Sequence, residues 1–178
     1  MKAEPLIRDA VCRRLYIGVD NGFTGGIAAL LADGSVACYP VKVTDLGRER
    51  LLDIDGNLAI IQEIIAKAGV SLEDVIVVYE QSPINPYFGY KSNYTNGKNG
   101  EFWRVVLSLA KIPYTWVNPK VWQKHAFRAV RGDDTKAMAA LVVKQRFPSL
   151  DVNGWNKSER EGINDALCIA LWARENHK

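Results

Sequence analysis

Apolar residues along this chain fall into short unbroken runs and longer stretches at three-to-four spacing, and the alternation of the two lays out the elements. The run Leu15-Tyr16-Ile17-Gly18-Val19 predicts a buried strand over residues 14–20. Residues 26–32 and 35–41 read as two further strands, joined through Asp33-Gly34, a turn pair that favours a hairpin. Leu58, Ile61, Ile64 and Ile65 share one helical face, so residues 57–68 predict an amphipathic helix that stops at Gly69. A second buried strand follows at Val75–Glu80, then a helix over 100–111 through Phe102, Val105, Val106 and Leu109, and a strand at Tyr114–Val117. Helices are predicted near 120–127, 135–147 and 158–175. Three antiparallel strands followed by alternating helix and strand predict an α/β fold, a mixed five-stranded sheet with helices on both faces.

Between residues 81 and 99 the periodicity is lost. Turn formers alternate with Tyr87, Phe88, Tyr90 and Tyr94, and the segment reads as a long loop, uncommon in a compact domain unless it is functional. Aromatics beside Lys91 and Lys98 suit stacking on unpaired bases or wedging into an opened duplex. The alternative is a loop that packs its aromatics beneath itself or covers a subunit interface. The five tryptophans, Trp103, Trp116, Trp122, Trp155 and Trp172, read as core or interface residues.

The polar residues that punctuate the apolar runs carry the candidate chemistry. Asp20 and Glu80 each end a buried strand, and Asp165 interrupts the apolar face of the last helix, with Glu161 one turn earlier on the same face. Two ionised carboxylates about 4 Å apart repel by roughly 4 kcal/mol at an effective dielectric of about 20, so such a group needs a neutralising partner. Hard divalent cations prefer oxygen ligands, and Mg²⁺ is held by a few carboxylates with water and phosphate oxygens, which favours a phosphodiester substrate. Each acid also has an ordinary reading. Asp20 suits a cap on the Asn21-Gly22 bend, Glu80 a lysine pair, Asp165 an exposed first-turn acid, and Glu161 a capping box with Ser158.

With 178 residues and 48% hydrophobic composition the chain suits one domain over 1–178, with residues 1–13 as an N-terminal extension. A net charge of +3 says little alone, but Lys120, Lys124, Arg128, Arg131, Lys136, Lys144 and Arg146 are answered between residues 120 and 146 only by Asp133 and Asp134. That stretch predicts a basic working surface. Cys12, Cys38 and Cys168 are far apart and odd in number, which argues against a disulfide framework and for a reducing compartment. His125 and His177 have no partner at zinc-ligand spacing. The absence of an apolar leader or a membrane-length run predicts a soluble, cytoplasmic protein.

Several motifs together resemble a known family. Gly18-Val19-Asp20, Tyr79-Glu80-Gln81 and Gly162-Ile163-Asn164-Asp165-Ala166-Leu167, with Val117-Asn118-Pro119-Lys120-Val121-Trp122, Asp134-Thr135-Lys136 and Arg146-Phe147-Pro148 between them, look like the RuvC-type Holliday junction resolvases and their shorter bacteriophage-like relatives. The resemblance runs from about Leu15 to Ala173. It implies an RNase H-like fold in the cytoplasm of a bacterial or phage-infected cell, cutting branched DNA with two Mg²⁺ ions, for which Mn²⁺ substitutes. Asp20 and Glu80 match the acids of the first and fourth strands, and Asp165 that of the last helix. Many members carry a second acid three positions before the last, where this chain has Gly162; Glu161 stands one residue earlier on the same face. Lys136 and Lys124 stand where the family places lysines near the scissile phosphate or the backbone, with Lys120 able to replace Lys124. Together with Phe88, Tyr90, Lys91, Arg128 and Arg131 these lysines form the candidate DNA-contacting set. The two-fold symmetry of a four-way junction implies a homodimer. Three other functions are carried alongside. Residues 18–25 resemble the phosphate loop of sugar kinases and actin-like ATPases, for which the chain is too short. A ribonuclease H or duplex nuclease would use similar acids, and a non-catalytic junction-binding module would need only the basic surface.

Overall fold

The computed structural model describes residues 14–31, 33–81 and 84–177. The expected N-terminal extension, with Cys12, lies outside them. Strand β1 (Leu15–Val19) is buried at all five positions because both of its faces are covered, which is why its sequence is continuously apolar rather than alternating. It is the centre of a five-stranded sheet ordered β3-β2-β1-β6-β7. β2 (Gly26–Leu30) and β3 (Val36–Pro40) form an antiparallel meander with β1, while β6 (Val75–Glu80) and β7 (Tyr114–Val117) run parallel to it. This is the expected mixed sheet.

Helices cover both faces, and the period of two along β1 divides the core between them. Leu15, Ile17 and Val19 pack under α1 (Ile54–Ala68) and α2 (Tyr90–Leu109), in a cluster with Ile61, Ile64, Trp103 and Leu107. Tyr16 points the other way, into the cluster formed by α3 (Pro119–Ala126), α4 (Thr135–Arg146) and α5 (Lys157–Asn176) through Trp122, Val142, Ile163 and Leu167. Gly18 shares the Tyr16 side. A Cβ there would stand 2.1 Å from the Ala166 carbonyl oxygen and 2.5 Å from the Ala170 nitrogen. From the helix side, a Cβ on Gly162 would stand 2.3 Å from the Thr24 carbonyl oxygen, and Gly25 and Gly162 form an isolated β-bridge. The α5 backbone therefore rests on the sheet backbone, with no layer of side chains between them at these points.

Two elements depart from the sequence reading. Residues 81–99 are not one long loop: α2 begins at Tyr90, ten residues before the predicted start at 100. Its first half, Lys91-Ser92-Asn93-Tyr94-Thr95-Asn96-Gly97, has no apolar stripe to betray it. Polar contacts across the preceding turn hold it instead. The Asn93 side chain accepts from the Asn85 backbone nitrogen at 3.0 Å and donates to the Asn85 and Phe88 carbonyls at 2.9 and 3.1 Å. A short hairpin, β4 (Val43–Asp45) with β5 (Arg50–Leu52), also went unpredicted, and α1 starts at Ile54 behind an Asp53 cap that accepts from the Gly56 nitrogen. Trp103 and Trp122 are fully buried as expected, whereas Trp116 is exposed.

The glycine contact yields a direct test. Gly18→Ala forces a methyl against backbone atoms that cannot rotate away, and should cost about 3 kcal/mol or more, towards the upper end of overpacking effects. Urea unfolding midpoints read this, and an unchanged midpoint would show that α5 can lift from β1 without penalty.

Candidate active site

Parallel pairing brings the ends of β1 and β6 together. Val19 pairs with Tyr79, so Asp20 and Glu80 leave the sheet side by side at its carboxyl edge. The edge is laced by local bonds. Asn21 Nδ2 donates to the Glu80 carbonyl oxygen at 2.7 Å, and Asp20 Oδ1 accepts from the Gly22 backbone nitrogen at 3.2 Å. The turn-capping reading of Asp20 is thus correct, and it leaves the second carboxylate oxygen available for other work. α5 delivers the third acid. Asp165 lies beyond the first turn and is only 7% exposed, which excludes the exposed first-turn reading.

Glu161 is freed from a capping role, because the box at the start of α5 is made by Asn156 and Glu159 rather than by Ser158 and Glu161. It is partly exposed, on the rim of the cluster, with Lys157 Nζ 3.9 Å away. The position one residue nearer Asp165 is Gly162. The close approach to Thr24 leaves no room there for any side chain.

Burial and mutual repulsion set the charge state of the group. Burial, then the charge of Asp20, pushes the Glu80 carboxyl up to about 7. The same two causes push Asp165 up to about 6. Asp20 is raised chiefly by burial, against the pull of Lys136. The compensating cation is Lys136, from the first turn of α4, whose Nζ lies 2.5 Å from Asp165 Oδ2. Burial disfavours its ammonium, but the charges of Asp165, Asp20 and Glu161 outweigh burial and raise its pKa. Sequence reasoning missed Trp122, counted only as core: its Nε1 donates to Glu80 Oε2 at 2.8 Å. An indole three residues into the helix after Asn118-Pro119 was the one available signal. Its partner lies 42 residues away.

The basic stretch does not act as one surface. Lys136 enters the acid cluster and Lys120 and Lys124 are exposed on α3, but Arg128 Nη2 lies 3.4 Å from Glu175, ten residues or about 15 Å along α5 from Asp165. Arg131 donates to the Val130 carbonyl. Lys91 is exposed at the start of α2, Phe88 is half-exposed just before it, and Tyr90 is 86% exposed and stacked on Tyr94 with centroids 6.2 Å apart.

An all-oxygen set of buried, mutually repelling carboxylates suits a hard divalent cation. Among the described residues no group of three or more His, Cys, Asp or Glu side chains is gathered to hold one ion, and Lys136 supplies the positive charge. No described helix is long and apolar enough to cross a membrane.

No family model matches the chain, and no curated protein matches it in sequence. Structure gives a likeness. Thermus thermophilus RuvC superposes with a TM-score of 0.53 at 17% identity, over 90% of this chain and 96% of that one. The fold is that of RuvC. The T. thermophilus RuvC in complex with a Holliday junction substrate matches similarly, with a TM-score of 0.50 at 16% identity, over 92% of this chain and 96% of the other. In the RuvC-like fold of the present chain, the carboxyl edge of β1 and β6 and the face of α5 converge on one cluster.

The raised carboxyls predict how stability varies with pH. The folded state keeps protons on Glu80 and Asp165 that the unfolded chain releases near pH 4, so stability should fall as pH rises from about 4 to 7, by on the order of a few kcal/mol in all. Glu80→Gln should flatten that slope and melt higher than the parent at pH 8 in EDTA. An equal slope in parent and variant would show that Glu80 does not pay for its burial.

Proposed function

We propose that the protein is a metal-dependent, structure-selective endodeoxyribonuclease that resolves four-way and other branched DNA junctions by paired phosphodiester cuts. It would work as a homodimer in the cytoplasm. The observation that carries the reading is the cluster of Asp20, Glu80 and Asp165 held together against its own repulsion on a RuvC fold. A purely structural role would favour replacing such a group by apolar residues.

Asp20, Glu80 and Asp165 would hold the ions, with Glu161 completing the set from the rim. The chemistry that two Mg²⁺ ions supply when bound is activation of a water and stabilisation of the leaving 3′ oxygen in an in-line displacement. Trp122 fixes the Glu80 carboxylate by its 2.8 Å bond, so that this acid keeps one orientation before and after substrate arrives. Lys136, released from Asp165, would place its ammonium against the charge developing on the phosphoryl oxygens. Lys120, Lys124 and Lys91, all exposed, would track backbone phosphates. Phe88, half-exposed just before α2, and Tyr90, exposed at its first position, would stack on bases at the crossover. Arg128, beside Glu175 towards the far end of α5, and Arg131 would contact the outer arms of a junction.

Incubating the protein with a four-way junction, a matched duplex and an RNA–DNA hybrid, in Mg²⁺ or EDTA, tests the reading. Metal-dependent cutting of the junction alone is expected, and cutting of the hybrid alone would make the protein a ribonuclease H. Asp20→Asn, Glu80→Gln and Asp165→Asn should each abolish junction cutting while leaving binding near the parent level; full cleavage by any of them removes that residue from the ligand set. Lys136→Ala should slow turnover about a hundredfold, on the scale of losing one preorganised donor. A parent-like rate would confine Lys136 to balancing charge in the resting protein.

A further inference from the structure

Next to the acid cluster, α4, α5 and the segment joining them enclose a cavity of about 520 Å³ that the proposed chemistry leaves unused. The α4 residues Lys136, Ala140, Val143 and Lys144 that line it recur at three- and four-residue spacing, so one face of the helix forms a wall, continued by Phe147 just past the helix end. Lys157, Arg160, Glu161 and Asn164 do the same for α5. Ala140, Val143, Phe147 and Leu150 supply the apolar part of the lining, while Lys144, Lys157 and Arg160 bring three positive charges against the carboxylates of Asp134 and Glu161. Lys136 and Glu161 belong both to this wall and to the acid cluster.

We infer that the cavity is a base-binding subsite, which receives an unpaired nucleobase of the strand being cut while Lys144, Lys157 and Arg160 hold the adjoining phosphates. The inference rests on the nuclease reading of the acids and adds a place where the enzyme senses base identity beside the cut. The volume falls within the range of about 300–1,000 Å³ typical of small-molecule sites. An apolar lining with more basic than acidic side chains complements a nucleotide, whose base has apolar faces and whose backbone is anionic. Phe147 offers a ring for stacking, and the Asn164 amide offers both a donor and an acceptor for a base edge. A base paired within a duplex cannot enter such a cavity; the bases at a branch point have the least stacking and pairing to lose. Because the cavity and the acids share Lys136 and Glu161, a base seated there belongs to a nucleotide adjoining the scissile phosphate.

The test needs no chemistry. A short oligothymidylate and an abasic strand of the same length are titrated against the protein in EDTA. The parent should bind the oligothymidylate about tenfold more tightly, as expected for one stacked base. Ala140→Trp, which fills the cavity from an exposed position on α4, should erase the difference, with Ala137→Leu as a milder filling should the indole unfold the chain. Lys144→Ala with Arg160→Ala should weaken both strands alike and reduce the salt slope by about 1.4. Equal affinity of the parent for both strands, failure to bind either, or a base preference that survives both fillings would overturn the inference. Junction cleavage in Mg²⁺, measured in parallel, separates the two claims. Lost base dependence with cleavage intact falls on the subsite, and absent cleavage with base dependence intact falls on the nuclease reading.

Discussion

The contact between the α5 backbone and the backbone of β1 and the turn before β2 is the constraint on which the candidate site depends. Gly18 and Gly162 remove the side chains that would hold helix and sheet apart, so the spacing there is set by backbone van der Waals contact. Rotamer changes cannot alter it. Asp165 is carried on that helix and Asp20 on that strand, and their separation inherits the stiffness. The same contact excludes an acid at 162: any side chain there would enter the turn around Thr24 and Gly25.

Electrostatics pull against this arrangement. Three carboxylates brought to one edge are driven towards protonation by burial and by one another, and the fold answers with Lys136, the Trp122 indole and the Gly22 backbone N–H on Asp20. Lys136 neutralises part of the charge through its bond to Asp165 Oδ2. Carboxyls held with raised pKa values by burial and by one another mark this edge of the sheet as a candidate functional site.

Much of this was legible from residue order. An unbroken apolar run ended by an acid has few physical readings, and β1 with Asp20 and β6 with Glu80 followed from it, as did the mixed sheet and the stripe of α5 that carries Asp165. The first half of α2 was not legible, because a polar helix shows no period and its anchor is a side chain bonded across a turn to Asn85. The basic stretch was visible as composition, yet its members part company: Lys136 turns to the acids while Arg128 turns to the far end of α5.

Hydrophobic spacing states which way each element must face, since burial acts on one residue at a time and leaves its mark at regular intervals. That was enough to determine the strands, most of the helices and the three central acids. A bond such as Trp122 to Glu80, the balance of charge around Lys136, or the cavity between α4 and α5 depends on how separate elements are set against one another. Only tertiary packing decides those, because the partners are far apart in sequence and neither residue alone carries a sign of the other.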